Sequence, residues 1–298
     1  MDWLTRMRSA LAYVEDNLTF DIDHEKLAQI ACCSSYNFFR VFSFMTGISL
    51  SEYIRRRRLT LAALELQNSD TRVIDIALKY GYDSPVSFSR AFQTLHGVTP
   101  TDARTRGTML KAYPRISFQL SIKGDKEMDY RIETKEAFQV FGMEGVFKTD
   151  ESGPEPKTPA GLWERCHADG SVQKLAEDAD DLPTFVKQEL DMVHGICSYR
   201  DTGVDSFPYM VGAFRSNNSK TDGYAVVEIP AHTWVIFPSE KFKWDDFDGI
   251  IESLYKRFFT EWLPTSEYEQ VGSLDMELYG SDGELGYFEL WFAVQRKA

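Results

Sequence analysis

The 298-residue chain has room for two or three domains, each with its own core. Its net charge of −13 argues against a simple polyanion binder, yet the charge is uneven: residues 1–110 hold 13 of the 33 Lys and Arg against 12 of the 46 Asp and Glu. No cationic leader precedes an apolar run and no stretch reaches the roughly 18 apolar residues of a span, so a soluble, cytoplasmic protein without membrane contact is expected.

Trp3, Leu4, Met7, Leu11 and Val14 fall at helical spacing and predict a helix over 2–17. Asp21 and Asp23 are ready caps for a second, over 24–31. Next comes Ser34-x3-Phe38-x-Arg40-x-Phe42-x4-Gly47, which returns fifty residues later as Ser84-x3-Phe88-x-Arg90-x-Phe92-x4-Gly97. Each copy reads as a short amphipathic helix: the serine caps its start, the two phenylalanines share one face, and the glycine stops it. Arg40 and Arg90 lie about 200° round from the second phenylalanine and face outward.

Between the copies, Ser49-Leu50-Ser51-Glu52 matches a capping box and opens a helix over 50–68. Arg55 to Arg58 spread right round that helix, so two at most can face a partner, and Arg58 is expected to brace the core. Residues 73–80 (VIDIALKY) form the helix before the second copy, and Thr99-Pro100-Thr101-Asp102 caps a last short one. Helix, tight turn, outward-facing helix is the helix-turn-helix arrangement, here doubled; two readers roughly 34 Å apart would meet successive major-groove faces.

Residues 113–123 read as a strand and 124–129 as a polar linker, which sets domains at 1–108 and 128–298 with 109–127 between them. Beyond, strands alternate with helices: a β-rich run over 130–147, helices over 160–168 and 182–194, strands within 195–215 and 224–237, a helix over 245–262, and strands at 274–280 and 286–295. Two halves of similar length predict an internal duplication about a pseudo-two-fold axis. The four cysteines contain no CxxC and read as free buried thiols; no metal site and no cofactor is called for, and His167, His194 and His232 lack ligand spacing.

In the last strand, alternation sets Tyr287, Glu289 and Trp291 on one face, a carboxylate between two aromatics. Dry and unpaired it would be costly, and a lipophilic cation would neutralise it while stacking on the rings. The alternative is that Glu289 faces solvent or pairs with a Lys or Arg of the sheet. Trp163 and Tyr209 are candidates for the wall of the same cleft, whereas Trp234, Trp244 and Trp262 read as core.

Residues 1–105 resemble the AraC/XylS family of transcription regulators, through the doubled pattern, Tyr53-Ile54-x3-Arg58-Leu59-x2-Ala62, Ile74-x-Ile76-Ala77-x3-Gly81-Tyr82 and Gly97-x2-Pro100. Residues 125–298 resemble GyrI-like effector-binding domains through Glu261-Trp262-Leu263-Pro264-x3-Tyr268, Glu277-x-Tyr279 and Glu289-Leu290-Trp291-Phe292, with Ala293 where the pattern has Pro. Reader first and GyrI-like domain last resembles the Rob-type arrangement. The resemblance implies a multi-domain fold, an all-α tandem helix-turn-helix domain followed by an α+β domain of duplicated β-α-β units on an antiparallel sheet.

It also implies base contacts by Tyr36, Phe39 and Arg40 in the first reader and by Pro85, Val86, Ser87 and Arg90 in the second. Arg suits guanine, Phe39, Pro85 and Val86 suit thymine methyls or sugars, and Asn37 suits adenine or a phosphate. Implied partners are double-stranded DNA, a small cationic or amphipathic effector and RNA polymerase; the reading is not an enzyme. Two alternatives remain open at this point, a C-terminal hydrolase or DNA-repair unit and a ligand-free docking module.

Overall fold

The computed structural model describes residues 3–33, 35–118, 127–148, 154–203 and 206–297. The chain divides into two compact units, Met1–Cys32 with Phe38–Gln119 and Cys33–Asn37 with Leu120–Ala298. The expected cap Ser34 lies outside the described residues.

Among its described residues the first third holds six α-helices: α1 (Trp3–Asp16), α2 (His24–Ala31), α3 (Ser35–Thr46), α4 (Leu50–Asn68), α5 (Val73–Lys79) and α6 (Pro85–His96). Asp23 caps α2 by accepting from the Lys26 N–H, and Ser84 caps α6 by accepting from the Ser87 N–H, with Pro85 at the first helical position. The paired phenylalanines are buried, Phe38 6.3 Å from Phe42 and Phe88 5.6 Å from Phe92. Burying each such ring gains about 2–3 kcal/mol. Gly47 and Gly97 stop α3 and α6 at φ of +71° and +81°, where a side chain would be strained.

The capping box forms only by half. Ser49 Oγ accepts from the Glu52 N–H at 3.2 Å, but the Glu52 carboxylate turns instead to Arg55 and Arg56, one turn on. Arg57 pairs with Glu15, and Arg58 donates to the carbonyls of Leu18 and Phe20 at 2.7 and 2.8 Å, so the whole run is held within the first unit. The 19-residue α4 is about 28 Å long at 1.5 Å per residue. Its Leu59, Ala62 and Leu66 pack with Ile76, Phe88 and Phe92. Residues 113–118 form no strand, and the rest of the strand expected over 113–123 lies outside the described residues.

The second unit is built on one antiparallel sheet, with nine strands among the described residues: β1 (Arg131–Lys135), β2 (Phe138–Lys148), β3 (His194–Cys197), β4 (Ser206–Phe214), β5 (Ala225–Ile229), β6 (His232–Pro238), β7 (Phe242–Lys243), β8 (Tyr268–Asp282) and β9 (Leu285–Arg296). Their order is β1-β6-β9-β8-β3-β4-β2-β5, with β7 paired to β9. The duplication is written in this order. β2-β4-β3 mirrors β6-β9-β8 about the central pair Ile196 and Met276, and the outermost strands are exchanged, β1 joining β6 and β5 joining β2.

Strand alternation gives the sheet two faces. One buries Ile196, Met210, Trp234, Met276 and Trp291 beneath a strap of chain, residues 182–193, whose Leu182, Val186 and Leu190 enter that core. The helix expected over 182–194 is absent. The chain there makes successive i→i+3 turns, Val186 N–H to the Pro183 carbonyl and Leu190 N–H to that of Lys187, which bury the same apolar side chains the helical spacing singled out.

The other face carries α7 (Pro159–Ala168) and α8 (Ser171–Ala179) over one half, and α9 (Phe247–Arg257), continued by a π-helical turn over Phe258–Trp262, over the other. Cys166 and Cys197 are buried, but Cys32 is exposed and Cys33 half-buried, which corrects the expectation of four buried thiols. Among the described residues no helix is long and apolar enough to cross a membrane.

Candidate functional site

Glu289 lies on the face beneath the strap, fully buried. Arg131 of β1 donates to it from Nη1 at 2.9 Å and Nη2 at 2.6 Å, Lys187 of the strap from Nζ at 2.6 Å, and Trp291 from Nε1 at 3.0 Å. Burial pushes the carboxyl up, but these donors outweigh it and hold it below the usual range. Of the two readings of Glu289, the one in which it pairs with an Arg of the sheet describes the structure, and the unpaired carboxylate between aromatics does not: Glu289 is compensated from within. Its neighbours follow suit, Trp291 buried in the core and the Tyr287 hydroxyl donating to the Glu189 carbonyl.

The uncompensated carboxylate is on the neighbouring strand and the opposite face. Glu277 of β8 accepts from the Tyr279 and Tyr209 hydroxyls on Oε2, at 2.6 and 3.1 Å, and from Tyr255 of α9 on Oε1 at 2.9 Å. Trp163 of α7 donates its indole N–H to the Tyr209 hydroxyl at 2.8 Å. The Tyr255 hydroxyl also lies 2.8 Å from Asp275. Burial, reinforced by the charge of Glu277, pushes the Tyr209 and Tyr279 hydroxyls well above their ordinary range, so both stay protonated donors. Among the described residues no cation pairs with Glu277; its charge is met by neutral donors alone.

The strand beneath is pinned from behind. The Tyr279 N–H donates to Nδ1 of His194, whose ring is fully buried. Burial drives the His194 pKa down to about 3, which keeps that nitrogen an acceptor.

Over Tyr279, whose hydroxyl donates to Glu277, lies a cavity of about 660 Å³ between α7 and the start of α9, walled by Trp163, Tyr279, Phe247 and Trp244 and lined also by Glu164 and Asp191. The size and the aromatic lining suit a small molecule. Trp244 is 45% exposed, which corrects its reading as core, whereas Trp234 and Trp262 are buried. Of the residues singled out in the sequence, Trp163 and Tyr209 stand at this cluster, and Glu289, Tyr287 and Trp291 stand apart from it. Glu277 and Tyr255 escaped the sequence reading. The available signal was Glu277-x-Tyr279 itself, whose alternation sets both on one face. Among the described residues no group of His, Cys, Asp and Glu is arranged to hold a metal ion.

In the second reading helix, Pro85, Val86, Ser87 and Arg90 are all exposed, Val86 to 61%. Arg90 has no ionic partner among the described residues, while the Ser87 hydroxyl is turned back to the Ser84 carbonyl at 2.8 Å. In the first, Tyr36, Phe39 and Arg40 are half-buried, with Phe39 edge-on to His24 and the Arg40 guanidinium over the Phe44 ring. Asn37, expected to reach a base or a phosphate, is buried.

Two family models match the chain, one described as a helix-turn-helix domain over residues 27–106 and one as an integron-associated effector binding protein over residues 131–294. The HTH-type transcriptional activator AarP of Providencia stuartii is 42% identical over 98 residues, 33% of this chain and 73% of AarP. The regulatory protein SoxS of Escherichia coli K12 is 33% identical over 100 residues, 34% of this chain and 94% of SoxS. A solved structure of SAV2435 bound to tetraphenylphosphonium aligns with a TM-score of 0.44 at 16% identity, covering 56% of this chain and 94% of that one.

Proposed function

We propose that this chain, which belongs to the AraC-type helix-turn-helix regulators and ends in an effector-binding domain of GyrI-like fold, is switched by a lipophilic cation that seats its charge on Glu277. As a DNA-binding transcription regulator it has DNA and a small-molecule effector as partners. The observation that carries the reading is that Glu277 is surrounded by hydroxyl donors and aromatic rings and, among the described residues, by no cation. A flat or bulky organic cation supplies what is missing, a positive charge with apolar bulk for Trp163, Trp244 and Phe247 to stack on. RNA polymerase is the further partner, a reading supported by the description of AarP as an activator. The place of action is the cytoplasm, where the DNA is.

Tetraphenylphosphonium titrated into the protein is expected to quench tryptophan fluorescence and to shift operator affinity. Glu277→Gln is expected to weaken its binding about 10- to 100-fold, the equivalent of one lost partly buried charge contact. Equal affinity in wild type and variant would remove Glu277 from the site.

The exposed reading face of α6 supports direct base contact by Arg90. Arg90→Ala is expected to lower operator affinity about 5- to 100-fold, while the 1–110 fragment binds the operator with a steep salt dependence. Unchanged operator preference in a gel-shift competition against scrambled duplex would exclude Arg90 from base readout.

A further inference from the structure

A separate cavity of about 500 Å³ shares no lining residue with the one over Tyr279. Its rings come from three places in the chain: Tyr130 just before β1, Trp262 at the end of the π-helical turn, and Tyr268, the first residue of β8. Tyr130 meets Trp262 edge-on at 5.6 Å, and Tyr268 lies nearly parallel to Trp262 at 5.9 Å. The backbone carrying them is tied down. The Ser266 N–H donates to the Trp262 carbonyl at 2.9 Å, the Tyr268 N–H to Ser266 Oγ at 3.2 Å, and Lys297 Nζ to the Ser266 carbonyl at 2.7 Å. Single π-helical turns recur at functional sites, and this one ends on Trp262.

The polar groups of this cavity are left unmet. Trp262 is only 7% exposed, yet its indole N–H has no hydrogen-bond partner among the described residues, and neither has the Tyr130 or the Tyr268 hydroxyl. A buried indole N–H ordinarily finds an acceptor. Tyr130 is 50% exposed, a ring open to whatever enters. Of the two carboxylates lining the cavity, Glu261 is paired with Arg257 at 2.9 Å, whereas Glu267 has no ionic partner among the described residues.

We infer that this cavity binds a small trimethylammonium compound carrying a hydrogen-bond acceptor a short way from its nitrogen, choline being the simplest. The methyl groups lie against Tyr130, Trp262 and Tyr268, whose ring faces attract the charge. A quaternary nitrogen has no N–H to satisfy, so rings serve it better than they serve a lysine-like ammonium. The acceptor takes the Trp262 indole N–H, and Glu267 balances the charge from the solvent side, where salt screens it.

The test follows the indole N–H peaks of the full-length protein in a proton–nitrogen NMR correlation spectrum as choline is added. The chain has 6 tryptophans, and the Trp262 peak is the one missing from Trp262→Phe. That peak is expected to move saturably with choline. The uncharged carbon isostere, in which tert-butyl replaces trimethylammonium, is expected to bind at least about tenfold more weakly. Tyr130 and Glu267 are exposed, so their replacement leaves the core intact. Tyr130→Ala is expected to weaken choline about 3- to 30-fold, the size of one cation–π contact. Glu267→Gln is expected to weaken it about 2- to 5-fold, a loss that vanishes at high salt. Glu277→Gln is expected to change nothing here. Equal binding of choline and its isostere, binding indifferent to Tyr130→Ala, or a Trp262 peak that stays still would each overturn the assignment. A response lost in Glu277→Gln and kept in Tyr130→Ala would overturn it as well, by seating the ammonium in the other cavity.

Discussion

Replacing Arg131 with alanine is expected to destabilise the second unit by about 3 kcal/mol. The substitution leaves Glu289, whose side chain is 1% exposed, with Lys187 as its one ionic partner among the described residues. Removing one member of a buried pair costs about 3–5 kcal/mol because the other charge is left poorly compensated. The low end applies here, since Lys187 remains and the Arg131 side chain is 30% exposed. The folded pKa of Glu289 lies below the ordinary 4.5, so its ionised form contributes stability that is present above that value and is lost as pH falls through the lowered one. Without Arg131 the folded pKa rises and that contribution shrinks. The gap between wild type and variant should therefore be widest at neutral pH and narrow on the acid side of 4.5. Urea unfolding followed by tryptophan emission suits the measurement, because Trp163, Trp234, Trp244, Trp262 and Trp291 all report on this unit. A gap of the same size at every pH would mean that the loss is one of packing alone.

Gly195→Ala is expected to spoil the proposed cation site from below. Gly195 lies directly across from Glu277 in the β3·β8 register. A Cβ there would stand 2.3 Å from the Tyr209 hydroxyl oxygen and 2.9 Å from Glu277 Oε2, closer than any methyl group is tolerated. The phenol must leave the carboxylate, and the Trp163 indole then loses its acceptor. Overpacking of this kind costs about 1–3 kcal/mol. The cation affinity should fall by at least about tenfold, with far-UV circular dichroism unchanged. Retention of wild-type affinity for tetraphenylphosphonium would show that the Tyr209 contact is not needed to shape the site.

The helical third was legible because its signals are local. Caps, paired phenylalanines and stopping glycines lie within a dozen residues of one another, and the doubling repeated each signal at a fixed offset. Alternation in β9 likewise placed Glu289 and Trp291 together on one face. What no local pattern contained was the company a carboxylate keeps. Arg131 reaches Glu289 across 158 positions of sequence, and Lys187 comes from a strap that reads as a helix. Tyr209, Tyr255 and Tyr279 converge on Glu277 only because β4, α9 and β8 meet there. Two glutamates in similar aromatic settings therefore look alike as text, and the fold alone separates Glu289, paired with two cations, from Glu277, which has no ionic partner among the described residues. Turn chemistry misled in the same way: the apolar spacing over 182–193 reports which side chains are buried, and a string of turns buries them as well as a helix would.

The exchanged outer strands bear on how the molecule is made. β1 leaves the ribosome about a hundred residues ahead of β6, the strand it pairs with, and β2 waits nearly as long for β5 to cover its flank. At about 5–20 residues per second, that is several seconds during which neither half can close by itself. The core shared by α4, α5 and α6 needs nothing that comes later in translation. A nascent chain arrested near residue 215 would thus carry its reading helices and an unsealed sheet, so truncation in that region should yield a protein that keeps DNA binding and loses its response to an effector.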